Sequence, residues 1–175
     1  MQSRPLFAPW RMDYIKSVVK GEDDDTCFLC QAAAATSEDE RRQRLVLWTT
    51  DHMSVLINRY PYTNGHILIA PNEHKADFED LSDAEQLDLA QQSTRVLRLL
   101  RRALSPQGFN LGTNLGRVAG AGVPGHLHQH VVPRWNGDTN FMSVVADIRI
   151  VPQAMTQLYE ELMRLRESSS EARAV

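Results

Sequence analysis

Three histidines occupy every second position of the stretch Gly125-His-Leu-His-Gln-His-Val-Val-Pro-Arg134, and they are half of the six in this chain. In a β-strand alternate side chains share a face, so His126, His128 and His130 would line one wall with neighbours roughly 6–7 Å apart. In a helix His128 would turn away from the other two. Burying three imidazoles side by side without partners is costly, which argues against a purely structural origin. Two chemistries compete. A three-histidine catalytic zinc site needs nitrogen ligands at ~2.0–2.1 Å and one open position. Three same-face positions span ~13 Å, so two at most reach one ion easily and the other ligands come from elsewhere. The alternative is nucleophilic attack on phosphorus. Neutral imidazole, with a pKa of ~6.5, keeps one nitrogen lone pair free near neutral pH, provided an acceptor holds the other nitrogen as N–H. Flanking histidines can donate to phosphate and leaving-group oxygens. His128, with a histidine on each side, is the natural nucleophile. The glycine-rich stretch 116–125 just before it can bring backbone N–H groups against phosphate oxygens.

The second constellation is Cys27-Phe-Leu-Cys30, holding both cysteines of the chain. Two are too few for a disulfide framework, and a redox pair needs a βαβ context that the sequence lacks. A structural zinc needs four ligands, commonly two cysteines and two histidines. The candidate histidines are His52, His74 and His126.

The elements that must position these groups can be read from pattern. The 175 residues suffice for one domain with a real core, and 42% hydrophobic with 23% charged residues is ordinary for a soluble protein. A net charge of -3 gives no long-range pull on nucleic acid. No apolar run approaches the ~20 residues needed to cross a bilayer. The N-terminus lacks the apolar core of a signal peptide, so a cytoplasmic location is expected. Residues 1–25 read as an arm that docks on the body, and 168–175 as a disordered tail. Segments 45–50 and 53–58 read as two strands joined at Asp51-His52, and 66–70 as a central strand ended by Pro71. Ser82-Asp-Ala-Glu85 is a capping box. It opens a helix with Leu87, Ala90, Leu97, Leu100 and Leu104 at helical spacing, stopped by Pro106 and Gly108. Residues 31–43 read as a short helix or a loop, 109–114 as a strand and 126–133 as the histidine strand. Met155, Leu158, Leu162 and Leu165 mark a second long helix. Trp135 is the best tryptophan candidate for a ligand contact. Hairpins with two helices set apart imply an α+β fold with a mainly antiparallel sheet.

His126-Leu-His-Gln-His-Val-Val132, with Pro133-Arg134 after it, resembles the histidine-triad (HIT) family of nucleotide hydrolases and transferases. Asn58, Gly65-His66, Gly108-Phe-Asn110 and Asn114-Leu-Gly116 extend the likeness over about residues 7–145. The starting Phe-Ala-Pro-Trp-Arg-Met-Asp-Tyr and Pro133-Arg-Trp-Asn-Gly-Asp-Thr-Asn-Phe141 look most like the branch of the diadenosine tetraphosphate phosphorylases. The resemblance implies a five-stranded α+β homodimer acting on an adenine nucleotide or dinucleoside polyphosphate. It implies that His128 attacks the α-phosphorus and forms a covalent nucleotidyl-histidine, with His126 and His130 assisting. Asn58 would bind ribose. Asn114 and the loop Gly120-Ala121-Gly122 would hold phosphates, and His66 would stand near the nucleotide. It also implies a structural zinc on Cys27, Cys30, His74 and His126, taking no part in the chemical step. Two departures matter. The position between the second and third histidines is usually apolar and here is Gln129, which in a strand points away from the imidazoles. Dinucleoside polyphosphate hydrolases commonly carry a polar Gln in the preceding loop. Here Ala119-Gly-Ala-Gly-Val123 leaves room for inorganic phosphate as acceptor. The alternative within the same chemistry is a hydrolase of dinucleoside polyphosphates or nucleoside phosphoramidates that uses water; a metal-dependent hydrolase and a non-catalytic nucleotide-binding module are the alternatives of other classes.

Overall fold

A computed structural model describes residues 27–138 and 153–171. The expected N-terminal arm and residues 139–152 lie outside the described residues. Two short helices, α1 (Phe28–Ala33) and α2 (Glu38–Gln43), occupy the stretch expected to be one helix or a loop. They divide at Ser37, whose side chain accepts the Glu40 N–H while Glu40 reaches back, a complete capping box. Then come β1 (Val46–Thr49), β2 (Met53–Ile57) and β3 (Ile67–Pro71), a 3-10 turn at Phe78–Asp80, and α3 (Asp83–Leu104). β4 (Gly108–Thr113), β5 (Gln129–Arg134) and α4 (Met155–Glu171) complete the order. The helix α4 runs to Glu171, past the serines where a tail was expected from 168 onward.

The sheet has five strands in the order β1-β2-β3-β5-β4, every neighbouring pair antiparallel. This is the expected α+β architecture. In β5, Gln129 pairs with Ile69 and Thr113, and His130 with Leu68 and Gly112. One correction concerns the histidine strand. It begins only at Gln129, so His126 and His128 lie in the stretch ahead of it and His130 alone is in the ladder. The glycine-rich loop delays pairing, and the ring of His126 is drawn off by other partners.

Both faces of the sheet are covered. Ile57, Ile67, Ile69 and Val131 face α3 and α4, against Val96, Leu100, Leu158 and Leu162. On the other face Leu56, Leu68 and Ala70 meet Leu29 and Ala32 of α1. That is why β2 and β3 are buried at every position and apolar at all but Ser54, rather than alternating.

Helix α3 starts at the capping box on Ser82, as the sequence indicated, and ends at Ser105 in the left-handed conformation before Pro106. Its buried stripe differs from expectation. Leu87 is 61% exposed, and the sheet-facing residues of the first half are Glu85, Asp88, Leu89, Gln92 and Ser93. Leu97 and Leu104 only flank the core. The inner polar groups are satisfied in place: Trp48 Nε1 donates to Gln92 Oε1 at 2.9 Å, and Gln92 Nε2 to Asp88 Oδ1 at 2.6 Å. A search for apolar periodicity does not see such a face.

Candidate active site and metal centre

His128 is 4% exposed, and its Nδ1 lies 2.8 Å from the His126 carbonyl oxygen. A carbonyl only accepts, so Nδ1 carries the proton and donates it. The Nε2 lone pair is thereby left as the reactive atom. Burial pushes the His128 pKa below the ordinary histidine value, opposed in part by the bond to His126. Burial thus favours the neutral imidazole, a form that can act as a nucleophile.

His130 stands beside it, with ring centroids 5.0 Å apart in a T-shaped contact. Its Nδ1 is 2.9 Å from Nε2 of His66, which is fully buried. At the far side of His66, Nδ1 accepts the backbone N–H of Tyr62 at 3.1 Å and lies 3.3 Å from Asn58 Nδ2. These donors leave His66 Nδ1 without a proton, so its Nε2–H donates to His130 Nδ1. Neutral His130 must then carry its proton on Nε2. The Tyr62 ring stacks on His66 at 4.8 Å and His130 at 5.9 Å, fixing both planes. His66 therefore sits behind His130 rather than on an open surface. The Asn58 Oδ1 accepts the Tyr60 N–H at 3.0 Å, which ties this half-buried side chain to the same turn.

His126 leaves the triad wall. Its Nε2–H donates to the Pro71 carbonyl at 2.9 Å, and its Nδ1 lies 3.3 Å from Cys27 Sγ and 3.4 Å from Cys30 Sγ. His74 brings its Nδ1 to 3.2 Å from Cys30 Sγ, and its ring meets His126 edge-on at 5.0 Å. One ligand atom from each of Cys27, Cys30, His74 and His126 lies within 4.8 Å of the other three. Neither cysteine is in a disulfide. A tetrahedral zinc with ~2.3 Å Zn–S and ~2.0–2.1 Å Zn–N bonds spaces its ligands roughly 3.4–3.8 Å apart, close to what is found. The Pro71 carbonyl supplies the outer hydrogen bond that orients a metal-binding imidazole. These four residues could hold a metal ion, and with four protein ligands it would have no open position for a substrate. His52, the other candidate histidine, is exposed and is not among them.

The loop after β4 borders the site, because Thr113 pairs with Gln129 and Asn114 follows directly. Asn114 Nδ2 donates to the Gly120 carbonyl at 3.5 Å, and Gly120 has φ +88°. Ala121 and Gly122 are half-buried and Gly120 is exposed. Gly125 lies against the metal cluster: a Cβ there would come 3.1 Å from His74 Nε2. Trp135 is half-buried and donates its Nε1–H to the Leu104 carbonyl at 3.3 Å, a structural use. Sequence reasoning missed Tyr62, whose role runs through its backbone and ring face. It also missed Lys75, whose carbonyl accepts the Leu127 N–H at 2.6 Å. His74, the residue before it, was the one signal near Lys75.

Comparison with known proteins places this geometry. The family model described as HIT domain matches residues 40–137, more than half of the chain. AP-4-A phosphorylase of Mycobacterium tuberculosis is 32% identical over 155 residues, covering 88% of this chain and 80% of that protein. The asymmetrical bis(5'-nucleosyl)-tetraphosphatase of Schizosaccharomyces pombe is 30% identical over 53% of this chain and 50% of its own length. A Zn-bound histidine triad family protein from Mycobacterium smegmatis superposes with a TM-score of 0.66 at 24% identity, over 86% of this chain and 99% of that one. The alternating histidines, the antiparallel five-stranded sheet and these likenesses converge, and the chain belongs to the HIT domain family.

Proposed function

We propose that this protein cleaves dinucleoside polyphosphates of the diadenosine tetraphosphate type through a covalent nucleotidyl-histidine on His128, with inorganic phosphate as the acceptor. The observation that carries this reading is the bond from His128 Nδ1 to the His126 carbonyl, which leaves Nε2 unprotonated on a ring kept neutral by burial. In the first step Nε2 forms a bond to the α-phosphorus and the bond to the bridging oxygen breaks. The leaving nucleoside polyphosphate takes that electron pair, and the His130 Nε2–H donates to its oxygen or to the phosphoryl group. In the second step an acceptor oxygen attacks the same phosphorus and returns the electron pair to His128 Nε2. His66 sets the tautomer of His130, so its part in nucleotide binding is indirect. Asn58 contacts ribose, and Asn114 with Gly120, Ala121 and Gly122 holds phosphates. A zinc ion on Cys27, Cys30, His74 and His126 supplies structural cross-linking when bound. That assigns the His126 side chain to the metal and its carbonyl to the nucleophile.

Phosphate as acceptor is supported by the small side chains of 119–122 and by the likeness to the AP-4-A phosphorylase of Mycobacterium tuberculosis. Water as acceptor is the rival reading, favoured by the Schizosaccharomyces pombe relative. A homodimer is supported by the position of β4, which among the described residues is an edge strand with Leu111 44% exposed. A cytoplasmic location remains the sequence-based expectation; among the described residues no helix is long and apolar enough to cross a membrane.

The test is to incubate the protein with diadenosine tetraphosphate, with and without phosphate, and separate the products. ATP and ADP formed only with phosphate supports the proposal. ATP and AMP formed without it makes the protein a hydrolase. In parallel, His128→Asn should abolish turnover while nucleotide binding persists, and mass spectrometry should find an AMP adduct on the parent but not on this variant.

A further inference from the structure

His128 lies ahead of β5 and outside its ladder, so no strand pairing fixes its own backbone, and the peptides on either side must be held by other contacts. Both neighbours are held from α3. On one side the Leu127 N–H donates to the Lys75 carbonyl at 2.6 Å. Lys75 is itself clamped: its Nζ lies 2.6 and 2.8 Å from the two carboxylate oxygens of Glu85, in the first turn of α3. Glu85 is 5% exposed, and its Oε2 also accepts the N–H and O–H of Ser82. On the other side Gln129 turns away from the imidazoles, and its Oε1 accepts from Ser93 Oγ at 2.5 Å. Ser93 is 8% exposed, and its Oγ also lies 2.7 Å from the Leu89 carbonyl, so its one proton is shared between the two acceptors.

These contacts account for half of the unusual polar stripe on α3. Burying Glu85, Asp88, Gln92 and Ser93 forgoes apolar contact and obliges each group to find a partner. Asp88 and Gln92 find Thr50 and Trp48 on β1 and its turn. Glu85 and Ser93 find the two residues that bracket His128. We propose that Glu85 and Ser93 are positioning residues for His128, gripping Leu127 through Lys75 and Gln129 directly so that the peptides on both sides of the nucleophile are fixed. Gln129, the polar departure from the family's apolar position, is the adapter that makes the second grip. The functional part of this inference rests on the reading of His128 as nucleophile.

The experiment uses the full-length, metal-loaded protein and the variants Ser93→Ala, Gln129→Leu and Lys75→Met. Lys75→Met removes the ion pair while leaving the cap between Glu85 and Ser82. The primary readout is the ¹⁵N NMR signature of the His128 imidazole at fixed pH. The parent should show one sharp Nδ1–H tautomer, and each variant mixed or exchange-broadened tautomers. The second readout is turnover of diadenosine tetraphosphate with phosphate. Misplacing a reacting group by about 1 Å costs up to ~100-fold, so we expect kcat about 10-fold lower with KM within about twofold. Ser93→Ala and Gln129→Leu combined should be no worse than either alone, since they break one contact; Ser93→Ala with Lys75→Met should multiply. An unchanged His128 signature in folded, metal-replete variants overturns the proposal whatever happens to Tm, leaving these residues as fold-stabilising groups. If the parent fails to cleave diadenosine tetraphosphate, the functional reading falls while the imidazole signature still decides the positioning.

Discussion

Gly65→Ala tests how tightly the turn before β3 is built and what that turn does for the site. Gly65 has φ +80°, a region in which a residue with a Cβ pays about 1–2 kcal/mol. Space is a second obstacle. A Cβ would sit 2.5 Å from Leu104 Cδ1, 3.2 Å from Pro133 Cγ and 3.3 Å from Leu100 Cδ2. Leu100 is fully buried and Pro133 is buried in β5, so only the half-buried Leu104 can yield. Forced overpacking of this kind costs about 1–3 kcal/mol. The two terms give about 2–5 kcal/mol, against total stabilities of about 5–15 kcal/mol for ordinary domains. For a chain of this size that lowers Tm by about 4–20 °C, taking about 2–4 °C per kcal/mol. Urea unfolding followed by tryptophan fluorescence measures it, with the slope unchanged and the midpoint lowered. Gly65 adjoins His66, so turnover of the folded fraction should fall as well. A loss of stability under about 1 kcal/mol would refute the reasoning, because neither the backbone conformation nor the Leu104 contact would then be binding constraints.

His66→Ala should lower kcat by about 10–100-fold with little change in KM, since His130 loses the donor that fixes its tautomer; steady-state kinetics at saturating phosphate would show it. Gly125→Ala should weaken metal binding by about 10–100-fold by pushing on His74, measured by competition with a chromophoric chelator. Acid sensitivity should trace to Glu85, whose carboxyl Lys75 holds down at about 2 from an ordinary 4.5. The folded value lies below the unfolded one, so this stabilisation is complete above the ordinary value and fades as pH falls from 4.5 toward 2. The urea midpoint should therefore drop less on acidification across that window in Lys75→Met than in the parent. An equal drop in the two proteins would remove the ion pair as the cause.

Much of the site could be read before any coordinates. Alternation of His128 and His130 is a period-2 signal that depends only on residue type and spacing, which the chain displays directly. The cysteine pair left three candidate histidines open, and the choice of His74 and His126 over His52 came from the likeness to the HIT family. The start of β5 was placed too early because the same alternation runs through His126 and His128, while the ladder depends on where Thr113 ends its own pairing. The buried stripe of α3 was misplaced for a related reason. Leucines at helical spacing marked Leu87 as inward, whereas the inward face is set by Trp48, Thr50, Lys75 and Gln129 on other elements. The position of His66 behind His130 was hidden too, since it follows from the pairing of β3 with β5 rather than from any local pattern.

Two main-chain groups help to decide where the protons sit: the His126 carbonyl for His128, and the Tyr62 N–H, acting with Asn58 Nδ2 through His66, for His130. Side-chain substitution at 126 or 62 is therefore blind to these two atoms, since every replacement there, proline at 62 excepted, retains them. Variants at those positions would report on metal retention and ring stacking, and an apparent tolerance there would say nothing about the carbonyl or the amide. Replacing the Tyr62 amide by an ester through backbone chemistry would reach one of these groups directly.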